Sequence, residues 1–185
     1  MTKLDDKLRD LRIAKAISLV PSGARVLDVG CRDGHTLALL GDRLGEGVGI
    51  DPELPDVPDR PRIRLVKGWF PADLPADVGA FDAIIMLAIF EHIPPDEQPK
   101  FIQTCWEHLA PGGTAIMTIP SKQVDVILDV LMKIKLVKDD SVHQHYGFDA
   151  RHMTVPLWEA GGFETVVHRP FQFGLNNLFQ FRRPA

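Results

Sequence analysis

Between residues 3 and 19, Leu4, Leu8, Leu11, Ile13 and Ile17 recur among Asp5, Lys7, Arg9, Arg12 and Lys15 at near-helical spacing. Pro21-Ser22-Gly23 ends the run, so residues 1–22 are predicted to form a leading helix that covers one face of a sheet. Val26, Leu27 and Val29 then make a short apolar run of the kind a buried parallel strand favours. Gly30 and Gly34 follow, and Leu37, Leu39 and Leu40 give the next helix an apolar face. Val48, Ile50 and Asp51 read as a second strand, Ile63, Leu65 and Val66 as a third, and Phe81 to Leu87 as the clearest buried strand. Between the second and third strands, Pro52, Pro55, Pro58 and Pro61 predict an irregular connection or a single helical turn.

A helix is predicted from about Asp96 to Leu109, with Phe101, Ile102, Cys105 and Leu109 on one face, stopped by Ala110-Pro111-Gly112-Gly113. Thr114 to Ile119 gives the fifth strand. Residues 121–137 are predicted to form a helix too apolar to stand in water alone. Pro156 predicts that the following helix is a brief segment after Thr154, ending at Ala160-Gly161-Gly162, unless the proline sits in its first turn. Phe163 to Phe173 and Leu178 to Phe181 close the chain as two strands joined by Gly174-Leu175-Asn176-Asn177. Alternating strands and helices demand a mostly parallel sheet with helices on both faces, because parallel neighbours need crossovers. The last two strands have only a short connection and must be an antiparallel hairpin.

Length and charge narrow the reading. With 185 residues, 1–185 fits one domain. A net charge of −4 argues against broad electrostatic binding to nucleic acid or an anionic membrane. Cys31 and Cys105 fit reduced thiols better than a disulfide framework, and two cysteines build no zinc pattern. The N-terminus lacks the apolar stretch of a signal peptide, and no apolar run approaches the ~20 residues that span a bilayer. The expectation is a cytoplasmic protein.

The chemistry starts at Asp28-Val29-Gly30-Cys31-Arg32-Asp33-Gly34. The glycines allow a sharp turn and close approach of a ligand to the backbone, and the unpaired amides at the following helix start suit an anionic group. Asp28 is expected at the edge of the same pocket, where a ligand carrying an ammonium and a carboxylate would meet both fields. A dinucleotide loop would need glycine at the positions of Arg32 and His35, and a phosphate loop would need a Gly-Lys-Ser/Thr ending. Asp51 lies where an acid binds both hydroxyls of a ribose in nucleotide-binding α/β folds, and Trp69 and Phe70 could sandwich an adenine ring.

The loop resembles motif I of the class I S-adenosylmethionine-dependent methyltransferases, with Arg32 where that family usually has its middle glycine. Phe81-Asp82, the apolar run and Glu91-His92 resemble motif IV and the element after it in small-molecule methyltransferases. Leu109, Ala110 and Pro111-Gly112-Gly113 resemble the family's turn into its fifth strand. The resemblance implies an α/β, doubly wound, mostly parallel seven-stranded Rossmann-like sheet of order 3-2-1-4-5-7-6 with a C-terminal antiparallel hairpin. It implies S-adenosyl-L-methionine as cofactor, held by Asp28, Gly30, Cys31 and Gly34 in the loop and by Asp51 and Pro52 after the second strand. Trp69, Phe70, Leu87, Ala88 and His92 would complete that site, with Asp73 the nearest acid for the adenine amino group.

In this fold a segment such as 121–148 is expected to act as a substrate lid, the alternative being a dimer contact. A sulfonium makes its methyl electrophilic unaided, so the protein must align the reactants and exclude water, with a base only where the acceptor loses a proton. His145, then His143, are the candidate bases, with Glu91 orienting one of them or binding substrate. Glu91, His92 and His145 also resemble part of the metal site of small-RNA 2′-O-methyltransferases, but that site's further glutamate is Ala88 here, so no metal is expected. The expected reaction is O- or N-methylation of a small-molecule or sugar-type acceptor by a monomer or homodimer. The alternative is a catalytically silent S-adenosylmethionine-binding or partner-regulating protein, and a nicotinamide oxidoreductase is disfavoured by the missing glycines.

Overall fold

A computed structural model describes residues 3–58, 60–121 and 150–185. Helix α1 (Lys3–Ile17) leads into β1 (Ala24–Val29), the glycine loop and a short α2 (His35–Leu40). Strands β2 (Leu44–Asp51), β3 (Ile63–Lys67) and β4 (Phe81–Leu87) follow with no helix between them among the described residues. Helix α3 (Gln98–His108), β5 (Leu109–Pro120), α4 (Ala150–Ala160), β6 (Glu164–Phe171) and β7 (Asn176–Arg182) are the remaining elements among the described residues.

The seven strands form one sheet in the order β3-β2-β1-β4-β5-β7-β6, as the motifs predict. The first five run parallel, and β7 lies antiparallel between β5 and β6. Chain reversal at β7 therefore brings the β6–β7 connection to the edge where the parallel strands end, with Asn176 opposite Pro120. One face buries Leu27, Ile84, Met117 and Phe179 under Ile102 and Cys105 of α3 and Trp158 of α4. The other buries Val26, Ile85 and Ile116 under Ala16 of α1 and Leu37 and Leu40 of α2.

Two local expectations are corrected. Helix α4 runs from Ala150 through Pro156 to Ala160, not merely from Thr154. Interior proline costs about 3 kcal/mol; here Trp158, two residues later, is fully buried and stacked on Phe181 at 4.9 Å, which offsets that loss. Pro111-Gly112-Gly113 is the irregular start of β5 instead of a free turn. The C-terminal segment holds it there, since Gly112 N donates to Arg183 O and Arg183 N to Gly113 O.

Candidate cofactor site

The loop after β1 is shaped by left-handed backbone at Gly30 (φ 74°), Arg32 (φ 51°) and Gly34 (φ 72°). At Gly30 the requirement is steric too, because a Cβ there would stand 2.3 Å from Ile89 Cδ1. Arg32 takes the same hand without being glycine, a conformation that costs about 1 kcal/mol. It is held by Asp51, whose Oδ2 accepts from Arg32 N at 2.8 Å while its Oδ1 accepts from Glu53 N at 2.8 Å. Arg60 grips the loop's far end, donating to Asp33 O at 3.2 Å and Gly34 O at 3.1 Å.

Two cavities meet at Gly30. The larger, about 680 Å³, lies over the ends of β1, β2 and β3 and is lined by Gly30, Asp51, Pro52, Trp69, Phe70 and His92, all predicted at the site. Lys100, Phe101 and Thr104 of α3 form its far wall. Trp69 is largely exposed on its rim, whereas Phe70 is anchored edge-on to Phe101 at 5.7 Å. Asp73 is committed to the turn after β3, its Oδ2 accepting from Trp69 N at 2.7 Å.

The smaller cavity, about 220 Å³, is lined by Gly30, Cys31 and Leu87 of the predicted set, with Arg32, Asp33, His35 and Thr36. Its remaining wall is α1, through Arg9, Arg12 and Ile13. Sequence reasoning missed these arginines, whose positions look like the solvated side of a covering helix. Burial lowers the pKa of the Arg12 guanidinium, and the charge of Glu91 opposes that shift. Glu91 is itself buried in a 3-10 turn, Phe90–His92, that Phe90 pins into the core. One turn thus sends Glu91 toward α1 and His92 into the larger cavity.

Asp28, Gly34 and Ala88 line neither cavity. Asp28 lies beneath the loop, not at the pocket edge, only 2% exposed. Burial pushes its carboxyl up to about 8, a hydrogen bond with Thr36 opposing and the charges of Asp51 and Asp33 adding. Cys31 is buried beside these acids, and burial raises its thiol pKa. Gly34 caps α2, and Ala88 (φ 58°) makes the turn out of β4 with its N donating to Thr118 O. His143 and His145, and residues 122–148 of the expected lid, lie outside the described residues.

The donor set fits an adenosyl amino acid. Each Asp51 oxygen accepts one backbone hydrogen bond and retains a lone pair for a ribose hydroxyl. The larger cavity offers an aromatic wall for a purine, and the smaller offers a guanidinium beside the loop for a carboxylate. A Rossmann-like sheet with a glycine loop after β1 and an acid ending β2 defines a nucleotide-binding class.

Comparison with known proteins sharpens the class. A family model described as a methyltransferase domain matches residues 3–168. The rat mitochondrial ubiquinone biosynthesis O-methyltransferase is 32% identical over 171 residues, covering 81% of this chain and 48% of that protein. The chain thus spans about half the length of that relative. Among solved structures, a Haloferax volcanii putative methyltransferase in complex with the Trm112 activator superposes with a TM-score of 0.73 at 18% identity, covering 98% of this chain and 93% of that one. A Burkholderia thailandensis 1,6-didemethyltoxoflavin N1-methyltransferase with bound S-adenosylhomocysteine gives 0.66 at 16% identity, covering 97% and 84%. The chain belongs to the methyltransferase-domain family, within the class I S-adenosylmethionine-dependent methyltransferases.

No helix among the described residues is long and apolar enough to cross a membrane.

Proposed function

We propose that this domain transfers the methyl group of S-adenosylmethionine to oxygen or nitrogen of a small-molecule acceptor. The observation that carries the reading is the meeting of two unlike cavities at Gly30, one with a carboxylate and aromatic walls, the other with guanidinium groups. Bound cofactor supplies an electrophilic methyl. Asp51 receives the ribose hydroxyls, Trp69 and Phe70 flank the purine, and Arg12 of α1 takes the amino-acid carboxylate. Gly30 lets the backbone approach where the two ends join. Where the acceptor must lose a proton, His145 or His143 is the assigned base. The net charge of −4 supports a small acceptor over a polyanion. O-methyl transfer is the reaction named for the rat relative, and N-methyl transfer that named for the Burkholderia enzyme.

Thermal unfolding with S-adenosylhomocysteine, with NAD as control, tests the reading. At 100 times its dissociation constant a specific ligand adds ~2.7 kcal/mol, a rise on the order of 5 to 10 °C for a domain of this size. A rise with S-adenosylhomocysteine alone is expected; none would remove the cofactor assignment. A second reading, a silent or partner-regulating protein, is favoured by Arg32 in the loop's middle position. Cofactor binding without turnover over a broad acceptor panel would select it.

A further inference from the structure

The β6–β7 hairpin carries an unusual tip. Gln172 (φ 50°), Phe173 (φ 58°) and Gly174 (φ 82°) lie consecutively in the left-handed region, two of them without the freedom of glycine. Such strain persists only where surrounding contacts impose it, and here they do. Gln172 Oε1 accepts from Asn176 Nδ2 at 2.6 Å, and Gly174 O accepts from Ser121 Oγ at 2.7 Å. Ser121 Oγ accepts in turn from Asn177 Nδ2 at 2.9 Å, and Ser121 N donates to Leu175 O. The end of β5 and the start of β7 therefore grip the tip from below. What this scaffold holds out is Phe173, whose relative exposure of 105% is the largest of any apolar side chain described.

Position gives that exposure a use. The tip lies at the edge where β1 and β4 deliver Gly30 and Leu87, since Asn176 stands opposite Pro120. Strand β7 is two strands from β4, roughly 10 Å at ordinary strand spacing. The end of β5 lies between them, so the tip stands beside β5, one strand beyond the strand that delivers Leu87. Beneath the tip, Asn176 Oδ1 and Thr118 Oγ1 are buried without a hydrogen-bond partner among the described residues, on the sheet face that Leu87 shares. A purely structural hairpin would have little reason to keep an aromatic ring in water on strained backbone.

We infer that the β6–β7 tip is the acceptor wall of the site, and that Phe173 stacks on a planar aromatic acceptor such as a phenol. The inference rests on the methyl-transfer reading above. Phe173 is on this account a specificity-determining residue that leaves the cofactor untouched.

The test uses the full chain saturated with S-adenosylhomocysteine, with catechol and 3,4-dihydroxybenzoate as planar probes and cis-1,2-cyclohexanediol as a non-planar control. Binding is followed by saturation-transfer NMR and calorimetry. The planar probes are expected to bind and the diol is not. Phe173→Ala should weaken the planar probes about tenfold, the scale of a lost aromatic contact. Phe173→Tyr should restore them, with S-adenosylhomocysteine affinity equal in all three proteins. If the planar probes fail to bind the cofactor complex, or bind Phe173→Ala as tightly as the parent, the wall assignment is overturned while the methyl-transfer reading stands. If S-adenosylhomocysteine does not bind the parent protein, both are overturned.

Discussion

The two halves of the sheet present opposite solutions along one edge. In the β3-β2-β1-β4 half, the loop at the centre of the site is shaped by backbone: left-handed turns, the start of α2, and main-chain amides that fix the Asp51 carboxylate. In the β5-β7-β6 half, the side chains of Ser121, Gln172, Asn176 and Asn177 hold a hairpin tip, and Phe173 is held out into solvent. A backbone-built half suits one invariant ligand and changes little when exposed side chains change. A side-chain half can be altered one residue at a time without disturbing the fold.

That contrast can be broken most severely at Gly30. Gly30→Val places a branched side chain at φ 74° against Ile89. It should destabilise the protein by about 3 kcal/mol or more through strain and overlap and abolish the melting shift with S-adenosylhomocysteine. A normal shift in the variant would show that the loop backbone is not what the ligand meets.

Next in size is Asp51→Asn, which keeps an oxygen acceptor but removes the charge. Hydrogen bonds to charged groups contribute about 1.5–3 kcal/mol, so titration calorimetry should find S-adenosylhomocysteine bound roughly 10- to 100-fold more weakly. Unchanged affinity would move the ribose elsewhere.

The last effect is spread over several pH units and sharpens the picture beneath the loop. Burial holds the Asp28 carboxyl protonated up to about 8 in the folded chain, whereas an unfolded aspartate ionises near ~3.9. Its contribution to stability is complete below the unfolded value and is lost as pH rises through the folded one. Denaturant unfolding should therefore show the parent losing stability relative to Asp28→Asn between about pH 4 and pH 8, by up to about 1.4 kcal/mol per pH unit. Parallel pH profiles for the two proteins would show an ionised Asp28.

The same division explains what the amino-acid sequence made legible. Backbone-built features carry strong signals: Gly30 and Gly34 at fixed spacing, Asp51 at a strand end, and Phe81 to Leu87 as an uninterrupted apolar run. The family resemblance that these motifs carry implied the strand order and six residues of the larger cavity, Gly30, Asp51, Pro52, Trp69, Phe70 and His92. Arg9 and Arg12 were illegible because helix periodicity says which side chains face away from the sheet, not that the outward side abuts a ligand loop. Pro156 misled because a local rule yields to the burial of Trp158. Phe173 sat in an apparent strand, and only the register of β7 shows which edge it reaches.

The missing crossover helices have a kinetic consequence. Among the described residues, 52–58, 60–62 and 68–80 close the β3 margin with turns and prolines, where two helices could have packed. Strand β3 is at the sheet edge with β2 as its one strand neighbour, so it is expected to open at a fraction of the free energy needed to unfold the central strands. Cofactor exchange can then proceed by a brief local excursion of one flank. Amide hydrogen exchange would see it as fast, ligand-quenched signals in β3 beside slow ones in β1 and β4.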